Sequence, residues 1–116
     1  REAFFSLPGD RYCLWGENGI YVSALRLQNY QDGLLLEALE THPDYRGRGY
    51  AKQLIAESLE ALKLEKVYSH ISRDNAPSIA VHISCGFRKL HDHATYLDGT
   101  LHLHSDTYLY ENPRCS

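Results

Sequence analysis

From Arg11 to Tyr30 the chain reads RYCLWGENGIYVSALRLQNY, two strand-like apolar runs meeting at Asn18-Gly19. Asn-Gly tolerates positive φ at both positions, so the pattern predicts an antiparallel hairpin. A second break at Gln31-Asp32-Gly33 leads into LLLEALET, which is apolar at nearly every position. A strand with no polar face is expected to be covered on both sides, so residues 34–41 are the predicted central strand of a three-stranded meander spanning 11–41. In YAKQLIAESLEALKLEK, residues Ala51, Leu54, Ile55, Ser58, Leu59 and Leu62 share one helical face, while Lys52, Glu57, Glu60 and Lys63 lie mostly on the other. VYSHI then reads as a short strand. Strand, helix, strand implies a right-handed crossover with Val67–Ile71 parallel to Leu34–Thr41. A second helix is framed by Asn75 as its cap, Pro77 in its first turn and Gly86 past its end. The remainder, from Phe87, reads as one long hairpin about Asp98-Gly99. The opening REAFFSLPGD is ambiguous and is compatible with the tail of a helix stopped at Pro8-Gly9. The predicted order is β-β-β-α-β-α-β-β. That is an α/β fold of the α+β type, with a mixed, mostly antiparallel sheet and a central βαβ crossover.

Composition narrows the function classes. With 116 residues, 43% apolar and 23% charged, the chain is expected to be one globular domain. A formal charge of -3 argues against duplex nucleic acid as a partner. No apolar run is long enough to span a bilayer and no signal peptide opens the chain, so a membrane partner is not expected. The sequence starts at Arg1 and contains no Met, which reads as an N-terminally incomplete domain with residues missing upstream. Cys13, Cys85 and Cys115 are odd in number and widely spaced, without a CxxC pair. Neither a disulfide framework nor a structural zinc site is expected, and a reducing, cytoplasmic setting fits.

Candidate chemistry concentrates in HPDYRGRGYAKQL, residues 42–54. It stands at a strand-to-helix turn, where the first amides of the helix are unpaired and its dipole is positive. Gly47 and Gly49 remove Cβ atoms from the approach and Ala51 keeps it clear, so a pyrophosphate is the natural guest. Taken alone, a glycine-rich turn with two solvated arginines explains the stretch equally well. The spacing is neither a P-loop nor GxGxxG.

In context, Arg46-Gly47-Arg48-Gly49-Tyr50-Ala51 resembles the acetyl-CoA signature of the GNAT N-acetyltransferase superfamily, Arg/Gln-x-x-Gly-x-Gly/Ala. His42-Pro43-Asp44-Tyr45 resembles the family's link into that helix, and Asn75, Ser78, His82 and Gly86-Phe87 resemble its second block. The resemblance runs from about Arg11 to Tyr110. It implies a single GNAT-like domain over 1–116, largely without the family's first strand and first two helices, which help form the acceptor site. It further implies transfer of an acetyl group from acetyl-CoA to an amine of a small molecule or protein, by direct attack in a ternary complex. Backbone groups of Leu39, Glu40 and Thr41 would bind pantetheine and the acetyl carbonyl. The amides from Arg46 through Gly47, Arg48, Gly49 and Tyr50 to Ala51 would hold the pyrophosphate, and Asn75 and Ser78 would face the cofactor from the other side.

For the base, Glu37 and Glu40 are the candidates, since a carboxylate in an apolar strand is costly unless paired or working. Three positions apart, they are expected on opposite faces. The alternatives are that one of them forms an ion pair or reaches solvent at the strand's end, and that a water relay replaces a direct carboxylate. For the acid, His82 stands where the family usually has Tyr. It could protonate a thiolate or simply pack beside the cofactor. Tyr45, Tyr108 and Tyr110 are other hydroxyl donors. A non-catalytic acyl-CoA-binding or regulatory domain is the alternative reading.

The last hairpin carries His91, His93, His102 and His104. A two-residue turn at Asp98-Gly99 would set His93 opposite His104, Thr95 opposite His102 and His91 opposite Asp106, all on one face. That face could hold a transition metal or shape a site for an anionic acceptor; the favoured reading is a solvated face on which any metal is adventitious, with Leu101 and Leu103 behind it as core. The hairpin also offers edge strands through which a homodimer could form.

Overall fold

A computed structural model describes residues 3–7 and 11–115 of the chain. The strands are β1 (Ala3–Leu7), β2 (Tyr12–Glu17), β3 (Ile20–Tyr30), β4 (Gly33–Thr41), β5 (Lys66–Ser72), β6 (Arg88–His91), β7 (Ala94–Thr95), β8 (Leu101–His102) and β9 (Ser105–Glu111). Helix α1 (Tyr50–Ala61) lies between β4 and β5, and α2 (Ala76–Ser84) between β5 and β6. Seven strands form one sheet in the order β1-β2-β3-β4-β5-β9-β6, while β7 and β8 form a separate ribbon. β4 and β5 are the parallel pair at its centre.

The meander follows its turn residues. Asn18 and Gly19 both have positive φ, 52° and 84°, as a hairpin matching the strand twist requires. Helix α1 buries Leu54, Ile55, Ser58 and Leu59 against Leu25, Leu27, Leu36, Val67 and Ile71. It stops at Ala61, short of the predicted end, because Lys63 turns left-handed with φ 51°. The opposite face of the sheet gathers Tyr30, Leu35, Tyr68 and Leu109. Leu36 and Leu35 thus anchor the two sides of β4, which is why the strand lacks a polar face. Where β4 begins, a Cβ on Gly33 would lie 2.4 Å from the Lys66 carbonyl oxygen. A Gly33→Ala variant should therefore lose about 1–3 kcal/mol of stability, read as a lower urea midpoint at unchanged slope.

Two expectations are corrected. The opening residues form a strand, not a helix tail: β1 pairs with β2 from Ala3↔Gly16 to Leu7↔Tyr12. Within it Phe4 packs on the core, while Phe5 is exposed against the Tyr21 ring at 5.6 Å. Five residues are too few to sustain an isolated helix, and an open sheet edge beside them supplies the hydrogen bonds. The Pro8-Gly9 stop lies outside the described residues.

The C-terminal segment is not one hairpin. Tyr96 N–H donates to the Thr100 carbonyl at 3.0 Å, and Gly99 has φ 85°. Leu97, Asp98 and Gly99 therefore all sit in the turn, and the register moves by one: Thr95 pairs with Leu101 and Ala94 with His102. A one-residue slip exchanges faces, so Ala94 is buried while Leu101 and Leu103 are exposed. His91 pairs with Thr107, not Asp106. The ribbon lies over the sheet face away from the helices, held by the Tyr30 hydroxyl donating to the Thr95 carbonyl at 2.6 Å.

Asp106 fastens the chain where it leaves and rejoins the sheet. It accepts from Arg73, whose Nη2 lies 2.8 Å from Oδ1, and from the His93 amide at 3.3 Å. The Arg73 bond, chiefly, holds the Asp106 carboxyl below the usual carboxylate range. A folded-state value below the unfolded one gives stability that is complete above the unfolded value of ~4 and drains as pH falls through the folded one. Acid unfolding followed by circular dichroism should accordingly lose part of its pH dependence in Asp106→Asn.

Candidate active site

The site begins where the central strands part. β4 and β5 pair from Leu34↔Val67 to Leu36↔Ser69 and no further. Just beyond, Ala38 takes φ 53°. Against β3 the register jumps from Arg26↔Glu37 to Ala24↔Glu40, so Ala38 and Leu39 together oppose Leu25. This is a β-bulge, which bends β4 away from β5 and frees backbone groups that a sheet interior would consume.

Into that gap opens a cleft of about 730 Å³. One wall is the end of β4, with Leu39, Glu40 and Thr41. The floor is the turn into α1, with Tyr45, Arg46, Gly47, Gly49, Tyr50, Ala51 and Lys52. The far wall is the start of α2, with Asn75, Pro77, Ser78 and Val81. The sequence-predicted binding residues thus converge, except that Arg48 is absent from the lining. Its guanidinium lies 5.0 Å from the centre of the Tyr45 ring and braces that side chain. Tyr45, a hydroxyl-donor candidate from the sequence, lines the cleft as well, whereas Lys52, Pro77 and Val81 join it without having been candidates for the site. Val81 follows Ser78 by three positions, a helical spacing that could have found it.

The floor leaves open space beside its backbone. Gly47 and Gly49 have φ 76° and 82°, and an added Cβ would meet nothing within 4 Å at either. Gly49 caps α1 without a side chain, and the first intrahelical bond runs from Gln53 N–H to the Gly49 carbonyl at 3.0 Å. Helical geometry leaves the amides of Ala51 and Lys52 pointing into the cleft end without a carbonyl one turn earlier. Arg46 Nε donates to the Thr41 carbonyl at 3.2 Å, tying the cradle to β4. Asn75 Oδ1 accepts from the Ser78 amide at 3.2 Å, so its side chain fixes the start of α2. The empty space above the two glycines, the positive helix end and the adjacent Arg46 and Lys52 fit a pyrophosphate.

The carboxylates fall differently from expectation. The bulge adds a residue between Glu37 and Glu40, and their partners Arg26 and Ala24 lie two apart, so the two glutamates share a face. Glu37 Oε1 accepts from Arg26 Nη2 at 2.8 Å, from Arg26 Nε at 3.1 Å and from the Gln28 amide. Glu40 is exposed at the cleft rim.

Behind the cleft a slot of about 210 Å³ runs between the parted strands and α2; Leu39, Asn75 and Ser78 line both, and Glu37, Ser69, His70 and His82 line the slot. His82 is only 1% exposed. Its Nδ1 lies 2.7 Å from the Ser78 carbonyl, which can only accept, so Nδ1 bears the proton. Nε2, 2.9 Å from Ser69 Oγ, is then the acceptor. Burial pushes the His82 pKa down, against the pull of the Ser78 carbonyl. Of the tyrosines, Tyr45 lines the cleft, whereas Tyr108 lies in the core and Tyr110 packs on the Phe87 ring at 5.7 Å. The four hairpin histidines are exposed, and among the described residues no three His, Cys, Asp or Glu side chains converge on a metal-sized site. No helix among the described residues is long and apolar enough to cross a membrane.

Comparison with known proteins agrees with this geometry. The family model described as Acetyltransferase (GNAT) family matches residues 1–87. Among solved structures, the IAA acetyltransferase from Bacillus cereus ATCC 14579 superposes with TM-score 0.72 at 15% identity, over 87% of this chain and 77% of that one. The ribosomal-protein-S18-alanine N-acetyltransferase from Escherichia coli gives 0.69 at 22% identity, over 89% and 70%. The PaiA N-acetyltransferase from Thermoplasma acidophilum, in complex with coenzyme A, gives 0.71 at 12% identity, over 87% and 60%. No curated protein sequence matches the chain. At these identities the structures speak for the fold; with the family model covering most of the chain, and with the cleft at its parted strands, the chain belongs to the acetyltransferase (GNAT) family.

Proposed function

We propose that this chain transfers an acetyl group from acetyl-CoA to an amine, with a small-molecule amine favoured over a protein one. The observation that carries the reading is the continuity of three features: strands parted by a bulge at Ala38, a cleft beyond them, and a glycine cradle at a helix start. Acetyl-CoA would supply an acyl thioester. The cradle from Arg46 to Ala51 would hold its pyrophosphate, and the main chain of Leu39, Glu40 and Thr41 would hold pantetheine and face the acyl oxygen with donors. Pro77 and Val81 would exclude water from the opposite side. The amine preference rests on the absence of any acidic or basic docking tract in the sequence. The coenzyme A complex of a neighbour with the same fold supports the choice of donor. The odd number and wide spacing of the cysteines in the sequence favour a reducing, cytoplasmic setting.

A second reading, a non-catalytic acyl-CoA-binding domain, is favoured by two facts. Glu37 is engaged by Arg26 and Gln28, and the His82 proton points at the Ser78 carbonyl. Calorimetric titration of metal-free protein with acetyl-CoA tests what both readings share, and one saturable site is expected. A folded sample that takes up no ligand rejects both. Amine-dependent release of CoA thiol then separates enzyme from binder.

A further inference from the structure

Acyl transfer from a thioester to an amine moves one proton from nitrogen to sulfur. Neither residue singled out for that task is placed to do it alone. Glu37 is shared among Arg26 and Gln28 donors, and a neutral His82 with its hydrogen on Nδ1 has no proton to give from Nε2. We propose that Ser69, hydrogen-bonded to His82, is the group that carries this proton, with Ser69 facing the reacting atoms and His82 acting through it. The proposal rests on the acetyltransferase reading above.

The geometry is specific. Ser69 pairs with Leu36 in the last rung before β4 and β5 separate, so it stands at the apex of the gap. It lines the slot together with Leu39, Asn75 and Ser78, which also line the cleft. Its Oγ lies 2.9 Å from His82 Nε2, and the Ser78 carbonyl orients the ring from behind, an acceptor held by a third group. The Phe87 ring meets the imidazole edge-on at 5.0 Å and fixes it further. Burial keeps His82 neutral and ready to accept. The ionisable side chains sharing the slot are Glu37 and His70.

The step balances. As the amine nitrogen bonds to the acyl carbon, its N–H bond breaks and the proton passes to Ser69 Oγ, while the Ser69 proton moves to His82 Nε2. The C–S bond then breaks, His82 returns its proton to Ser69, and Ser69 gives one to sulfur. Both side chains end as they began.

The test uses the full chain with acetyl-CoA and methylamine, a primary amine small enough to need no recognition, following thiol release at a fixed concentration of neutral amine. Wild type should show kcat/KM rising with pH through a midpoint below the ordinary histidine value of ~6.5. Ser69→Ala should lose roughly a hundredfold of the rate together with that pH limb, Ser69→Thr should keep most of both, and all three should bind CoA alike. Ser69→Ala with wild-type rate and profile overturns the proposal, as does a wild type that binds CoA but releases no thiol to methylamine. A wild type that binds no CoA rejects instead the reading beneath it. Should Ser69→Ala fail to fold, nitrogen NMR of wild type decides: His82 with Nδ1 protonated and Nε2 bare at neutral pH is required, and a protonated Nε2 overturns the assignment.

Discussion

A Gly49→Glu variant should lose at least about a hundredfold in affinity for CoA while remaining folded. Gly49 caps α1 with φ 82°, and the space beside it is open to 4 Å. A carboxylate grown into that space would stand about 4 Å from a bound phosphate. At an effective dielectric near 20, that repulsion is roughly 4 kcal/mol per charge pair, and solvent exposure reduces it. The substitution also forces a side chain into the left-handed region, at about 1–2 kcal/mol of fold stability. Gly49→Ala separates these effects, because it carries the conformational strain and a methyl group but no charge. Calorimetry should rank wild type above alanine and alanine well above glutamate, and added salt should narrow the second gap. Equal losses in both variants would make the effect steric, and unchanged affinity in the glutamate variant would remove the phosphate from this turn.

What the sequence showed plainly was carried by local chemistry. Asn18-Gly19 sets a hairpin because both residues tolerate positive φ, and Asn75 with Pro77 starts a helix because one accepts an amide and the other needs none. RGRGYA marks the turn into α1 because glycines there take positive φ. What it hid depends on partners distant in the chain. β1 forms because the edge of β2 is available, not because AFFSL dictates it. The hairpin register turned on whether Gly99 closes a two- or three-residue turn, and one residue reversed which leucines are exposed. The shared face of Glu37 and Glu40 follows from a bulge at an alanine, a residue that advertises nothing. The Ser69–His82 bond needs β5 and α2 packed together before it exists. Arg48, placed in the cradle by its position in the motif, stacks on Tyr45 because a flat guanidinium gains more over an aromatic face than in open water.

That bulge makes a strong claim of its own: deleting Ala38 should abolish acetyl transfer without unfolding the chain. Ala38 is the extra residue opposite Leu25 and holds φ 53°, a conformation disfavoured by about 1–2 kcal/mol for a residue with a Cβ. With it removed, Leu36 and Leu39 still point to the helix side and Glu37 and Glu40 to the other, so the core contacts survive. β4 loses its bend, and Glu37 can continue the ladder alongside His70, past the present last pair of Leu36 and Ser69. The gap closes, and the amides of Leu39 to Thr41 turn back into the sheet. Loss of a single backbone donor to a developing oxyanion lowers rates about 10²–10³-fold, and this deletion withdraws the whole segment. Thermal unfolding of the variant should match or exceed wild type, while calorimetry shows no saturable CoA binding. Ala38→Gly is the control: it keeps the bulge, relieves the left-handed strain and should retain CoA binding. A deletion variant that still binds CoA as wild type does would show that the parted strands are a feature of the fold and not of the site.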